Sequence, residues 1–340
     1  MKRNFQLDTL KGVLIFLVVF SHAIEFTYSK TTPIVSYIYI AIFSFHMPVF
    51  VFISGYLSKR HSQKKLIELA LVYVLWQVII YPLFVSSILN EPYIEWVQSV
   101  FNPHSSYWYL VSLLTWRIVT PYLERIKFIL PLCILFGLLV GFSEVSSMTT
   151  FSFGRSIAFY PFFLVGYYLT PARLNFLCTK INRYIGFISF SLVCVFAVYF
   201  ITSLQDTTLL IEDKFFTKPL MLRDHYDLYL NNPMNGIYIR SVLYVLAFLM
   251  ISTIFSFMPS KETIFTRIGQ QSFIIFISHY MIIYVIKRIY FSDVTVYAAN
   301  SVLITAFICS FLYCALLTTK PAQMIARRLT TINIQPLWKE

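Results

Sequence analysis

The chain has 340 residues, of which 58% are apolar, 19% aromatic and only 12% charged; its 27 Lys and Arg against 15 Asp and Glu leave a net charge of +12. A soluble domain is about 45–50% apolar and about 25% charged, so this chain has too little polar side chain to coat a soluble surface. Disordered chains, coiled coils and nucleic-acid-binding domains of ordinary composition are excluded, and the composition points to an all-α, polytopic integral membrane protein.

A crossing helix needs about 20 mostly apolar residues. That ruler predicts ten spans, at roughly 12–29, 34–58, 66–89, 107–124, 127–143, 153–171, 184–204, 237–258, 270–290 and 298–319. The excess of Lys and Arg reads as loop charge that sets orientation. With the N-terminus inside, the larger share falls on the cytoplasmic side, including Lys2, Arg3, Lys11, the Lys59–Lys65 cluster, Arg125, Lys127, Arg327 and Arg328. Lys30, Arg155, Lys214, Lys218, Arg223, Arg240, Lys287 and Arg288 fall on the outer side. Both termini are therefore expected to be cytoplasmic. Residues 1–340 read as one domain, with an outer polar loop at about 205–236 that is too short for a catalytic domain. The start of the chain reads as a retained first helix, because Asp8 and Lys11 interrupt a signal-peptide pattern and no small-residue cleavage site follows.

The first helix carries the most informative polar residues, in 7-LDTLKGVLIFLVVFSHAIEF-26. Lys11 and His22 are separated by close to three helical turns and so share a face, about 16 Å apart along the axis. Asp8 and Glu25 extend the same stripe. An ionisable group inside a span is costly and points to function, and a neutral histidine is a natural general base near neutral pH. The second span contains His46 before a proline, then Ser54-Gly55, which lets helices approach closely. Lys59, Arg60, Lys64 and Lys65 follow. That cluster reads either as a topology signal and lipid contact or as a docking site for a phosphorylated cytosolic ligand.

Later spans add Trp108 in an aromatic cluster ahead of Arg117, then Arg155, and then His279 in 269-GQQSFIIFISHYMIIY-284. Together these predict a polar cavity within the bundle. Of the five cysteines, Cys133, Cys178, Cys194, Cys309 and Cys314, four lie in apolar runs and none forms a CxxC pair. They read as small core residues, and no metal-ligand spacing stands out.

Taken together, these segments resemble the integral-membrane acyltransferase family 3. The resemblance covers almost the whole chain. It rests on Leu7, Asp8, Leu10, Lys11 and Gly12 followed by His22, and on FHMPVFVFISGYL, YWYLVSLLTWR, GRSIAFYPFFLVGYYL and GQQSFIIFISHY in order. The later blocks are similar to the branch of fucose and exopolysaccharide acetyltransferases. The resemblance implies a ten-helix bundle that moves an acetyl group from cytosolic acetyl-CoA, or another acyl-CoA, to a carbohydrate hydroxyl, with no permanently bound cofactor. It implies His22 as the catalytic histidine and Lys11 as the basic member of the motif, where many relatives carry Arg. Some relatives have an Arg-x-x-Arg pattern after the second helix; here Lys59-Arg60-His61 keeps the charge and departs from the pattern.

The expected assignment is catalysis by His22, oriented by Asp8 or Glu25, with Lys11 beside them. Lys59, Arg60, Lys64 and Lys65 would bind acyl-CoA, and His46, Ser54, Trp108, Arg117, Arg155 and His279 would line the acceptor cavity. The acceptor would be a surface or lipid-linked sugar, and polysaccharide-assembly proteins are candidate partners. The abundance of Phe, Tyr and Ile with only 9 Gly suggests an AT-rich bacterial genome, hence the bacterial plasma membrane. A polysaccharide flippase or small-solute transporter is the competing class. Such a protein would often show two related halves, and no internal repeat is visible.

Overall fold

The computed structural model describes residues 4–25, 33–60, 62–90, 92–96, 100–144, 150–205, 222, 225–226, 233–290 and 299–332. Among these the chain is helical and contains no strand. The first half runs α1 (Phe5–Ile24), α2 (Pro33–Phe43), α3 (His46–Leu57), α4 (Gln63–Val74), α5 (Tyr81–Leu89), α6 (Tyr93–Trp96), α7 (Trp108–Leu123) and α8 (Ile129–Leu139). The second half runs α9 (Phe153–Tyr168), α10 (Pro171–Leu177), α11 (Lys180–Gln205), α12 (Pro233–Thr253), α13 (Ile264–Gln270), α14 (Ser272–Tyr290), α15 (Ala299–Leu316) and α16 (Lys320–Thr330).

Among the described residues, helix occupies most of each of the ten predicted segments. Five helical stretches are long and apolar enough to cross a membrane: Phe5–Ile24, Ile34–Leu57, Gln63–Ile88, Asn182–Tyr199 and Pro233–Phe257. The pair Ser301–Leu316 and Lys320–Thr330, bent by 79°, makes a sixth if it is one broken span. Three of the other predicted spans are shorter helices. Helices α7 and α9 have 16 residues each and carry Arg117 and Arg155, and α8 has 11. Helix α14 has 19 residues and is set off from α13 by Gln271.

The first span starts seven residues earlier than its apolar run suggested. Asn4 caps it, its side-chain oxygen accepting from the Leu7 N–H at 3.1 Å. Asp8 and Lys11, which mark an interface by composition, lie inside the helix. They pair with each other at 2.8 Å, which offsets the cost of burying either. The second span breaks at residues 44–45, giving α2 and α3. Pro48 cannot donate to the preceding turn, and α3 begins at His46. Between α4 and α5 the chain loosens into a π-helical segment, Leu75–Ile80. Pro82 lacks the N–H that would reach the Val78 carbonyl, and the Tyr93 hydroxyl donates to that carbonyl instead.

Two helix crossings hold the bundle together, and both rest on reciprocal glycine pairs. A side-chain carbon at Gly12 would lie 1.9 Å from the Phe265 carbonyl oxygen, and one at Gly269 would lie 1.8 Å from that of Asp8. Thus α1 and α13 touch backbone to backbone. In the same way Gly55 faces the Phe163 carbonyl at 2.0 Å and Gly166 faces that of Phe52 at 1.9 Å, joining α3 to α9. Without a solvent-driven hydrophobic effect between helices in lipid, such close approach is a main source of association.

Arg240 departs from its expected place at an outer helix end. It is 3% exposed, donates to the Gly137 carbonyl at 3.0 Å and lies 4.7 Å from the Tyr226 ring. The cysteines are free: Cys133 and Cys314 are buried, while Cys309 is exposed on α15 rather than in the core. Most of the polar loop at 205–236 lies outside the described residues, as do Lys214, Lys218 and Arg223.

Candidate active site

Helix α1 sets the site. Its face carries two i,i+3 pairs, Asp8–Lys11 at 2.8 Å and His22–Glu25 at 2.9 Å. The stripe expected from helical spacing is therefore divided into two local pairs. Asp8 neutralises Lys11, and Glu25 is the residue that holds His22. Glu25 caps the C-terminal end of α1, which places His22 in the last helical turn.

The His22–Glu25 bond joins Nδ1 to Oε2. With Glu25 as a carboxylate, which only accepts hydrogen bonds, the proton of this bond sits on Nδ1. The neutral ring then has Nε2 as its basic nitrogen. The carboxylate also stabilises the imidazolium that forms when Nε2 takes a proton.

Around His22 stand three rings, with centroids 5.4 Å away for His279, 5.6 Å for Phe43 and 5.8 Å for Tyr280. His279 and His46 are buried, at 0% and 1% exposed. His279 comes from α14, packed on α1. His46 opens α3, and its ring packs edge-on against Phe43 at 4.7 Å. Each of these histidines bonds a carbonyl of its own chain segment through Nδ1, His46 to Ile42 at 2.8 Å and His279 to Phe276 at 2.5 Å. The Nε2 atom of each has no hydrogen-bond partner.

From His279 an aromatic path leads across the bundle. Phe276 lies 5.7 Å from His279, Tyr109 lies 5.1 Å from Phe276, and Trp108 lies 6.3 Å from Tyr109. The Arg155 guanidinium stands 4.9 Å over the Trp108 ring. Ser54 bonds the Tyr109 hydroxyl at 2.5 Å. Arg117 reaches the same wall from the other end, donating through Nε to the Ser58 hydroxyl at 3.0 Å; that hydroxyl donates to the Ser54 carbonyl at 2.6 Å. These ring contacts and hydrogen bonds run through α3, α7, α9 and α14.

The basic cluster is less uniform than its sequence. The Lys59 ammonium donates to the Leu169 carbonyl and lies 5.6 Å from the Tyr56 ring. Lys64 is half-buried and Lys65 exposed in the first turn of α4. The Arg60 side chain lies outside the described residues. Sequence reasoning did not single out Phe43, Tyr109, Phe276 or Ser58. Their only signal was membership of apolar, aromatic runs, which read equally as lipid contact.

A family model described as an acyltransferase domain matches residues 4–320. The chain belongs to the acyltransferase 3 family. No curated relative and no solved structure matches it. The matched residues take in every helix from α1 to α15, and with them His22, Glu25 and the residues that surround them. As an acyltransferase with several helices apolar enough to cross a bilayer, it is a multi-pass membrane enzyme. Its family blocks also acquire a physical reading here. The glycines of LDTLKG and GQQSF form one backbone crossing, and those of FISGYL and FLVGYY form the other.

Proposed function

We propose that this membrane acyltransferase moves an acetyl group from cytosolic acetyl-CoA to a hydroxyl of a surface or lipid-linked carbohydrate, in the bacterial plasma membrane, with His22 as general base. The observation that carries the proposal is the His22–Glu25 bond, which leaves the His22 Nε2 lone pair available beside a buried polar cluster. In the reaction the substrate oxygen attacks the thioester carbon as Nε2 takes its proton. A C–O bond forms, the C–S bond breaks, and the proton passes from His22 to the departing thiolate. The base and its carboxylate are both supplied by one helix, so their relative geometry does not depend on substrate binding.

The acyl donor is a co-substrate and no permanent cofactor is needed. Lys64, Lys65 and Arg60 are the residues proposed to hold CoA phosphates at a cytoplasmic mouth, on the side of both termini. Lys59 contributes there mainly by holding the α3–α4 turn to Leu169. The proposed acceptor surface runs from His46 and His279 past Ser54 and Trp108 to Arg155; Arg117, also proposed for it, bonds Ser58 beside the basic turn. The aromatic rings along it are suited to the apolar faces of sugar rings. The acyltransferase family match favours transfer chemistry over a flippase. The test is glycan analysis of cells with and without the gene. An alkali-labile ester present only with the gene is expected, and an unchanged ester content would contradict the proposal.

A further inference from the structure

His279 has a specific chemical state that the geometry defines. Its Nδ1 faces the Phe276 carbonyl oxygen at 2.5 Å. A carbonyl cannot donate, so Nδ1 carries the proton. A second proton on Nε2 would create a cation with no exposed surface and no counter-charge bonded to it, a costly arrangement. The neutral ring therefore presents Nε2 as a bare lone pair. That atom is buried and has no hydrogen-bond partner. A buried acceptor left unsatisfied is also costly, and a ligand that donates to it recovers that cost.

His22 differs in having the Glu25 carboxyl on its Nδ1, and in its neutral form, the form a general base needs, it too offers a lone pair at Nε2. The two rings are neighbours, with centroids 5.4 Å apart and planes tilted by 31°. A pair of neighbouring lone pairs with no proton between them cannot stabilise an oxyanion, since neither can donate. It can accept two protons from one ligand. His46 shares the tautomer of His279, has its ring against Phe43 and also lies within electrostatic reach of His22. The two histidines whose rings are in contact are His22 and His279.

We infer that His279 Nε2 is an acceptor subsite for a second hydroxyl, on the carbon next to the one acylated, so that the enzyme selects vicinal diols. This rests on the reading of His22 as the base for a carbohydrate hydroxyl. His22 takes the reacting proton, and His279 holds the neighbouring hydroxyl and fixes which oxygen reaches His22. His279 is in this sense a specificity residue that touches substrate. An amide N–H of the acyl-CoA arm is the other donor that could reach the same atom, and the test separates the two.

The probes are methyl hexopyranosides of gluco, galacto and manno configuration, each paired with analogues lacking one hydroxyl. Equilibrium binding and acyl transfer are measured on the purified full-length enzyme. In the native protein at least one diol is expected to bind about 10- to 100-fold more tightly than a deoxy partner, the usual cost of one buried polar group left unpaired. His279→Leu removes the acceptor and should bring that ratio close to one, with acyl-CoA affinity unchanged. His279→Gln places a carbonyl oxygen near the Nε2 position and should restore part of the ratio, which separates recognition from a folding defect. Equal binding within every pair, no binding of any of these sugars, or a loss of acyl-CoA affinity in place of sugar discrimination overturns the inference. Binding discrimination that depends on His279 without acyl transfer would leave the subsite standing and remove the reading of His22 as the base.

Discussion

At the scale of single residues, the function turns on two bonds made by neighbouring side chains. His22 could be singled out from the sequence because a histidine within an apolar helix has few inexpensive roles. Glu25 could be placed on the same stripe but not separated from Asp8. The structure separates them: Asp8 pairs with Lys11 and Glu25 with His22. Glu25→Gln should therefore lower kcat by about 100-fold or more, as expected when a general base loses the group that orients it, with little effect on the KM for acyl-CoA. Asp8→Asn should instead act mainly through stability, since it leaves the Lys11 ammonium half-buried without its partner. Steady-state kinetics together with thermal unfolding of the two variants would separate these outcomes, and equal kinetic losses would contradict the division of roles. The state of the His279 and His46 nitrogens was not legible in the sequence. It depends on carbonyl groups that the fold brings to their Nδ1 atoms.

At the scale of helices, composition showed a chain of apolar helices but could not show how they pack. The first helix began earlier than its apolar run because an internal ion pair and an Asn cap tolerate charge inside it. The second broke where Pro48 and His46 follow one another. The glycines were visible in the sequence as small residues, but their reciprocal pairing required the structure. A methyl group at Gly12, Gly55, Gly166 or Gly269 would overlap a carbonyl oxygen of the opposite helix. Each Gly→Ala change should force a crossing apart at a cost of about 1–3 kcal/mol, read as a lower unfolding temperature of the purified protein. A variant that unfolds at the native temperature would show that the crossing is looser than described. The turn between α3 and α4 gives a second test. Lys64→Gln with Lys65→Gln should raise the KM for acyl-CoA more than that for the acceptor, because each lost charge-assisted contact weakens phosphate binding. Lys59→Gln should lower stability first, since its ammonium is bonded to the Leu169 carbonyl. If Lys59 alone controls acyl-CoA affinity, the assignment of that turn is reversed.

At the scale of the whole molecule, the low charge and the apolar runs made a helical membrane protein legible from composition alone. The routes of the two substrates follow from where the basic and aromatic residues lie. Lys64 and Lys65 sit at one end of the bundle's α3–α4 turn, while His22 lies in the last turn of α1. Lys11 and His22 are about 16 Å apart along that helix, within a bilayer core about 30 Å thick. On the proposed orientation, acyl-CoA enters from the cytoplasm and the acceptor from the outer face. In sealed vesicles of defined sidedness, an impermeant acceptor should be acylated when it lies across the membrane from acyl-CoA. Acylation only when both are on the cytoplasmic face would place both substrates on one side. The central claim, that His22 activates the acceptor hydroxyl, is tested most directly by His22→Ala. With the variant inserted at native levels, the account predicts that alkali-labile ester on the cell's glycans falls to the level of cells lacking the gene. Native ester levels in that variant would contradict it.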